Sequence, residues 1–334
     1  MGYKGVLQNV IMQKGQLATA DSLMMQNFVA PFSATAVVRL EAVGVNIVGT
    51  TTAGEFGAIG LFKKPKDGYF VSYSPLEKVA DGSIDFALFN DYTGAISNIA
   101  ASKGLFYIHP TYGSVSRYGL IPSVTSIDQI GIACKDPEVG FHILKIIAGY
   151  DSRDGVMEDK GTNPLFDKVK HKSHISQIKK AEYKSIYQSI FPQLKQIICC
   201  AELSNNISRY DGIKFGYRAK EYNGLQELYA KSRTGVFSED VKLAAIIGAM
   251  VLSQENYTRY YNKAMRLRRL IKSTLSFDKY DVLEVKCPLL SRLCGLPSLA
   301  TPDKLYIANA GCEKILEAIC NGVSVNGVAE GDVL

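Results

Sequence analysis

A hydroxyl becomes a nucleophile only with a base within hydrogen-bond reach. In this chain the hydroxyls and lysines close enough in sequence to attempt this are Ser72, Ser74, Thr93 and Ser97 with Lys63, Lys64 and Lys78. Thr93 and Ser97 read first as surface or helix-cap hydroxyls. Metal chemistry has less to work with. His171 and His174 form a close pair, but they sit among lysines, and such a stretch reads as a solvated loop and not as a metal site. The seven cysteines show no CxxC spacing, and Cys199 is adjacent to Cys200, so they read as reduced, buried thiols rather than a disulfide framework. Arg259, Lys263, Arg266, Arg268, Arg269 and Lys272 gather on one helix. A solvated face is the default for such a run, with nucleic acid or an acidic partner as the alternative.

The densest information lies in residues 90–131, NDYTGAISNIAASKGLFYIHPTYGSVSRYGLIPSVTSIDQIG. This block resembles the amidase-signature family. Within it the match is to the A subunits of glutamyl-tRNA(Gln) and aspartyl-tRNA(Asn) amidotransferases, which read PTYGRVSRYGL followed by SSLDQIGP. The resemblance implies an α/β amidase-signature fold with a mixed central β-sheet covered by helices. It also implies a triad made of a nucleophilic serine, a serine in a cis peptide that relays the proton, and a lysine base. Counted back without a gap from Pro110, the turn that carries the nucleophile becomes Asp91, Tyr92, Thr93, Gly94 and Ala95, so a methyl group stands where the attacking oxygen belongs. The same offset puts the relay serine at Val71, or at Ser72 with a shift of one residue. The family's GIKDN is answered by GVLQN at residues 5–9, with Leu7 at the base position. Leu7, Val71 and Ala95 are thus degenerate triad positions, and no catalytic residue is expected. Asp91, Thr93 and Gly94 remain on the substrate side, although Tyr92 and Thr93 crowd a turn whose N–H groups would form an oxyanion hole.

A second match, NNISRYDGIKFGYRAKEYNGLQELYAKSRTGVF at residues 205–237, resembles the A subunits' NLSRYDGVRYG block and the SR pair after it. In those proteins the arginine of the pair holds the carboxylate of glutamine, and its counterpart here is Arg233. The guanidinium fork suits a carboxylate because it makes two parallel hydrogen bonds; an ion pair at a helix end would serve Arg233 equally well. The family's acidic partner for the glutamine amino group falls in a segment deleted between Lys286 and Leu293. LCGLPSLATP and KLYIANAGCEKILEAI, near the C-terminus, resemble the family's LAGLPGISVP and its final strand and helix. These matches lead to the expectation of a non-catalytic relative that acts as scaffold, subunit or carboxylate-ligand sensor. The alternative is an active amidase subunit that releases ammonia from glutamine. No cofactor or metal is implied. The partners implied are a second copy, a B-subunit-like protein or a true A subunit, with tRNA engaged only indirectly.

Composition sets the frame for these residues. A chain of 334 residues with 47% hydrophobic content can bury one large core, and without a linker-like tract it reads as a single domain over residues 1–334. The formal charge of +6 and pI near 8.8 fall short of a dedicated nucleic-acid binder. With no signal-peptide pattern and no apolar run longer than residues 243–252, a cytoplasmic protein that avoids membranes is expected. Met1 falls just before the lysine motif, so the helical segment usually preceding it is expected to be missing, leaving a surface for a partner. For the elements, the spacing of Val37, Leu40 and Glu41 after Ser33 predicts a short helix ending at Gly44, then a strand at 45–50. A strand at 84–89, a helix at 93–102 and another at 137–148 follow. Residues 154–180 read as a shortened loop, and helices are expected to dominate from about 175, one of them long, from 238 to 270.

Overall fold

A computed structural model describes residues 2–62, 74–158 and 177–327. Ten strands form one mixed sheet in the order β10-β6-β7-β9-β8-β4-β5-β3-β1-β2. They are β1 Lys4–Gln8, β2 Asn46–Thr51, β3 Phe86–Asn90, β4 Phe106–His109, β5 Ile130–Cys134, β6 Gln177–Glu182, β7 Val282–Glu284, β8 Ser298–Ala300, β9 Leu305–Ala308 and β10 Ser324–Gly327. The helices are α1 Thr35–Ala42, α2 Ser74–Asp81, α3 Ala95–Ser102, α4 Pro137–Ile147, α5 Phe191–Ile207, α6 Gly224–Val236, α7 Glu239–Leu252, α8 Lys263–Ser273, α9 Leu289–Cys294 and α10 Glu313–Cys320.

β1 lies between β2 and β3 and is parallel to both, whereas β5 runs antiparallel to β3 and β4. Strands β3 and β5 read FALFN and IGIAC and are buried at every position, as continuous apolar runs covered on both faces must be. Period-2 alternation then assigns the two faces. Val6, Ala87, Phe89, Tyr107 and Ala133 join Leu76 and Val79 of α2 and Ile96 and Ala100 of α3 in one apolar cluster. Leu7, Phe86, Leu88, Ile108 and Ile132 join α1, α4 and α5 in the other. Each fully buried Leu, Ile or Phe in these layers contributes on the order of 1.5–3 kcal/mol.

Several boundaries differ from the sequence reading. Ser33 does not cap α1; its hydroxyl accepts from the Lys14 N–H, and the N-cap position is Ala34. The expected loop at 154–180 ends inside β6, because Gln177 to Lys180 find parallel partners in β10. The long helix at 238–270 is two helices. Ser253 turns extended (φ −61°, ψ 150°) and its carbonyl accepts from Asn256 and Tyr257, after which a π-turn at Thr258–Asn262 leads into α8. No described helix is long and apolar enough to cross a membrane.

Candidate functional site

In this structure the turn from β3 into α3 meets the C-terminal end of β1, a location where α/β sheets gather ligands. The retained block holds that turn rigidly. The Asn90 side chain donates to Asp128 (2.9 Å), whose carboxylate also accepts from the Ser123 and Val124 N–H groups. The Asn90 backbone N–H donates to the Gln8 side chain (2.7 Å), tying β3 to β1. Burial raises the Asp128 pKa, and the hydrogen bonds to its carboxylate work against that rise. Further along, Arg117 meets Asp154 through both Nε (3.0 Å) and Nη2 (2.7 Å). The family-like motifs at 110–120 and 125–131 therefore build the frame around the turn.

Within the turn, the polar side chains bond to the protein itself. Asp91 is buried; one carboxylate oxygen accepts from the Ile96 N–H and the other from the Ser97 N–H, both at 3.0 Å, and the second also pairs with Arg292 at 3.0 Å. Arg292 is itself only 1% exposed and further donates to the Asp91 carbonyl, Ser291 and Ser298. Thr93 donates to the Ile59 carbonyl (2.6 Å) and accepts from the Ala95 N–H (3.3 Å). Ser97 donates to the Gly94 carbonyl (3.0 Å). The Gly94 N–H goes to the Asp91 carbonyl. The N–H groups of residues 94–97, at the start of α3, are thus all engaged. Asp91 and Thr93, expected on the substrate side, spend their polar atoms on the protein, and the Ser97 hydroxyl bonds to no lysine among the described residues.

A loop at 54–62 roofs the turn. A Cβ on Gly60 (φ +71°) would lie 2.9 Å from the Ala95 methyl, and one on Gly94 (φ +76°) would strike the Pro288 ring at 2.5 Å. Only glycine permits both approaches. Ala95, the residue expected at the nucleophile position, is 5% exposed, its methyl packed under Gly60. Leu7 is 0% exposed; it pairs with Leu88 of β3 and shares its apolar cluster with Phe56 and Tyr92. Val71, Ser72, Lys63, Lys64, His171 and His174 lie outside the described residues, and Lys78 is an exposed residue of α2.

Arg233 sits half-buried on α6 and has no ion-pair partner among the described residues. Its guanidinium carbon stands 5.6 Å from the centre of the Phe237 ring, and burial lowers its pKa. Phe237 packs edge-on against Phe56, which stacks on Tyr210 and whose carbonyl accepts from the Tyr92 hydroxyl (3.3 Å). The loop at 54–62 therefore connects the Arg233 side to the turn at 91–95. Its base is pinned by Glu55, which accepts from the Ser22 hydroxyl and the Ser238 N–H.

Sequence reasoning alone misses Lys195. It lies on the first turns of α5 and donates to the Gly60 carbonyl at 2.6 Å, at the roof of the turn. A signal is present: Phe191, Lys195 and Ile198 are spaced four and three apart, so the lysine shares the buried face of its helix. Burial lowers its pKa. The described residues hold no group of three or more His, Cys, Asp or Glu able to bind a metal ion.

Comparison with known proteins agrees with this architecture. The family model described as Amidase matches residues 78–185 and 172–288. The glutamyl-tRNA(Gln) amidotransferase A subunit of Agathobacter rectalis is 35% identical over 342 residues, covering 89% of this chain and 68% of the relative. That of Lachnospira eligens is 34% identical over 93% of this chain and 74% of the relative. Among solved structures, the glutamyl-tRNA(Gln) amidotransferase A subunit of Thermotoga maritima superposes with a TM-score of 0.65 at 21% identity, over 92% of this chain and 80% of that one. The peptide amidase of Stenotrophomonas maltophilia does so with 0.70 at 18% identity, over 95% and 81%. By sequence and by fold, this chain belongs to the amidase-signature family.

Proposed function

We propose that this chain is a non-catalytic member of its family, a relative of the glutamyl-tRNA(Gln) amidotransferase A subunits that serves as a scaffold, a component of an assembly or a sensor of a carboxylate ligand. The observation that carries the reading is the state of the turn. A methyl stands at Ala95, a leucine fills Leu7, and the N–H groups from Gly94 to Ser97 are bonded to Asp91 and Thr93. A carbonyl brought there finds no attacking oxygen, and removing such a group in other hydrolases costs several orders of magnitude in rate.

The ligand part of the reading rests on Arg233, a half-buried guanidinium without an ion-pair partner among the described residues. A free carboxylate docking there would relieve its desolvation and make two charge-assisted bonds. Titration calorimetry with glutamine, glutamate, asparagine and aspartate tests this. Heat that appears with at least one and vanishes in Arg233→Ala is the expected result; no heat with any of the four contradicts the sensor. Because the relatives are themselves named as components of an amidotransferase, a B-subunit-like partner or a second copy is the assembly worth testing. Co-purification with a B subunit would support the first, and a dimeric mass in solution the second.

A further inference from the structure

Helix α8 and the π-turn before it carry a row of cations left without acidic partners. Arg259 in the turn and Lys263, Arg266 and Arg269 on the helix are all exposed. They follow one another at spacings of four, three and three residues, so successive side chains are neighbours on the helix surface and repel. Lys272 continues the row by a further three. Residues 258–273 contain no Asp or Glu, and none of the five cations has an ion-pair partner among the described residues. Cations elsewhere on the surface do find carboxylates, as Lys103 does with Glu77, Lys145 with Glu317 and Lys231 with Glu227. A solvated surface ordinarily intersperses both signs, whereas these five nearly equal the whole formal excess of +6. The row is also anchored from below. Ala264 and Ile271 are buried, and Arg268 donates inward to the Ser126 hydroxyl and carbonyl, both at 2.8 Å, and to the Leu293 carbonyl. Aromatic rings stand at its N-terminal end. Tyr257 is 44% exposed and lies 5.4 Å from Tyr261, and the Arg259 guanidinium carbon lies 5.5 Å from the centre of the Tyr260 ring.

We propose that this face of α8 binds the phosphodiester backbone of a single-stranded nucleic acid, with an unpaired base stacked on Tyr257. At 1.5 Å of rise per residue the four cations from Arg259 to Arg269 span about 15 Å, a row along which consecutive phosphates of one strand meet successive side chains. Phosphates in that position relieve the repulsion between the cations and release bound counterions, and the three guanidinium forks suit phosphate oxygens. An acidic peptide would satisfy the cations but make no use of the exposed ring. A duplex would keep its bases stacked on one another and away from it. A single strand uses both parts of the surface. The charge is local, which is how a chain with only a mild overall excess presents such a face. Binding here does not depend on the state of the turn at 91–95.

Fluorescence anisotropy of a fluorescein-labelled oligouridine, titrated with the full chain at 50 and 200 mM KCl, tests the proposal. Binding is expected at 50 mM. Four phosphates neutralised on a single strand, at a slope of about −0.7 each in log affinity against log salt, predict a weakening of roughly 50-fold at 200 mM. Arg266→Gln combined with Arg269→Gln, checked for folding by circular dichroism, is expected to flatten that slope by about 1.4, whereas lysine at both positions keeps it. Tyr257→Ala is expected to lower affinity about fivefold or more and leave the slope unchanged. No rise in anisotropy at 50 mM overturns the proposal, as does an affinity that the paired glutamine substitutions leave intact. Displacement of the oligouridine by polyglutamate at equal charge also overturns it, in favour of an acidic partner. So does a Tyr257→Ala variant that binds as tightly as the parent.

Discussion

Ala95, Asp91 and Lys195 show three different relations between a residue and its chemistry. Ala95 is readable because no gap separates it from the motif at 110–120, and its consequence follows from an absent oxygen alone. Restoring that oxygen is not enough. Ala95→Ser places a hydroxyl under Gly60 with Leu7 still at the expected base position and the N–H groups of 94–97 bonded, and ammonia release from glutamine is expected to stay at the buffer rate in a coupled assay. Asp91 reads as a substrate contact because of where it falls in the turn, but its partner, Arg292, lies two hundred residues away and only the folded chain brings them together. Asp91→Asn leaves a guanidinium that is 1% exposed facing a neutral amide. Breaking such a buried pair costs about 3–5 kcal/mol, so the urea midpoint is expected to fall strongly with an unchanged m-value. Lys195 carries a periodicity signal, but its significance needs the Gly60 carbonyl, which a linear reading cannot supply.

At the level of elements, the frame is legible where pattern is local and obscure where pairing is distant. The helix at 137–147 begins with the Asp136 cap and a proline, and α1 and α3 follow their apolar spacing. Strands of three or four residues such as β7, β8 and β10 carry too little alternation to be seen, and β6 reads QIKKAE, which gains its identity from β7 and β10 beside it. The loop at 54–62 depends on glycine in the left-handed region: Gly60→Ala adds a methyl at φ +71° and 2.9 Å from Ala95. A loss of at least about 1–2 kcal/mol is expected in chemical denaturation. At the end of β4, His109 is 1% exposed with Nδ1 unbonded, and burial, reinforced by Arg292, holds its pKa well below 6.5. The folded pKa lies below the unfolded one, so the unfolded chain binds the proton first. The stability owed to neutral His109 is full above about pH 6.5 and is lost as pH falls toward the folded value. The slope from this one site is up to about 1.4 kcal/mol per pH unit, and His109→Gln is expected to flatten that limb of a stability-against-pH curve.

For the whole molecule, the non-catalytic reading proposed above sets a kept scaffold against replaced chemistry. The sheet of ten strands joins both ends of the described chain, and its two faces are covered by separate apolar layers. One cooperative calorimetric transition, with equal calorimetric and van't Hoff enthalpies, is the behaviour expected of a single domain; two resolved transitions would divide the chain. The amidotransferase A subunits of Agathobacter rectalis and Lachnospira eligens are 34–35% identical to it, and in this chain Asn90, Asp128, Arg117 and Asp154 hold the frame around the turn. The most direct measurement is ammonia release from glutamine by the purified full chain, tested by itself and in the presence of tRNA with an amidotransferase B subunit. The expected rate is that of buffer in every mixture, unchanged by Thr93→Ala. Release that requires this chain and is abolished by Thr93→Ala or Ser72→Ala would contradict the non-catalytic reading.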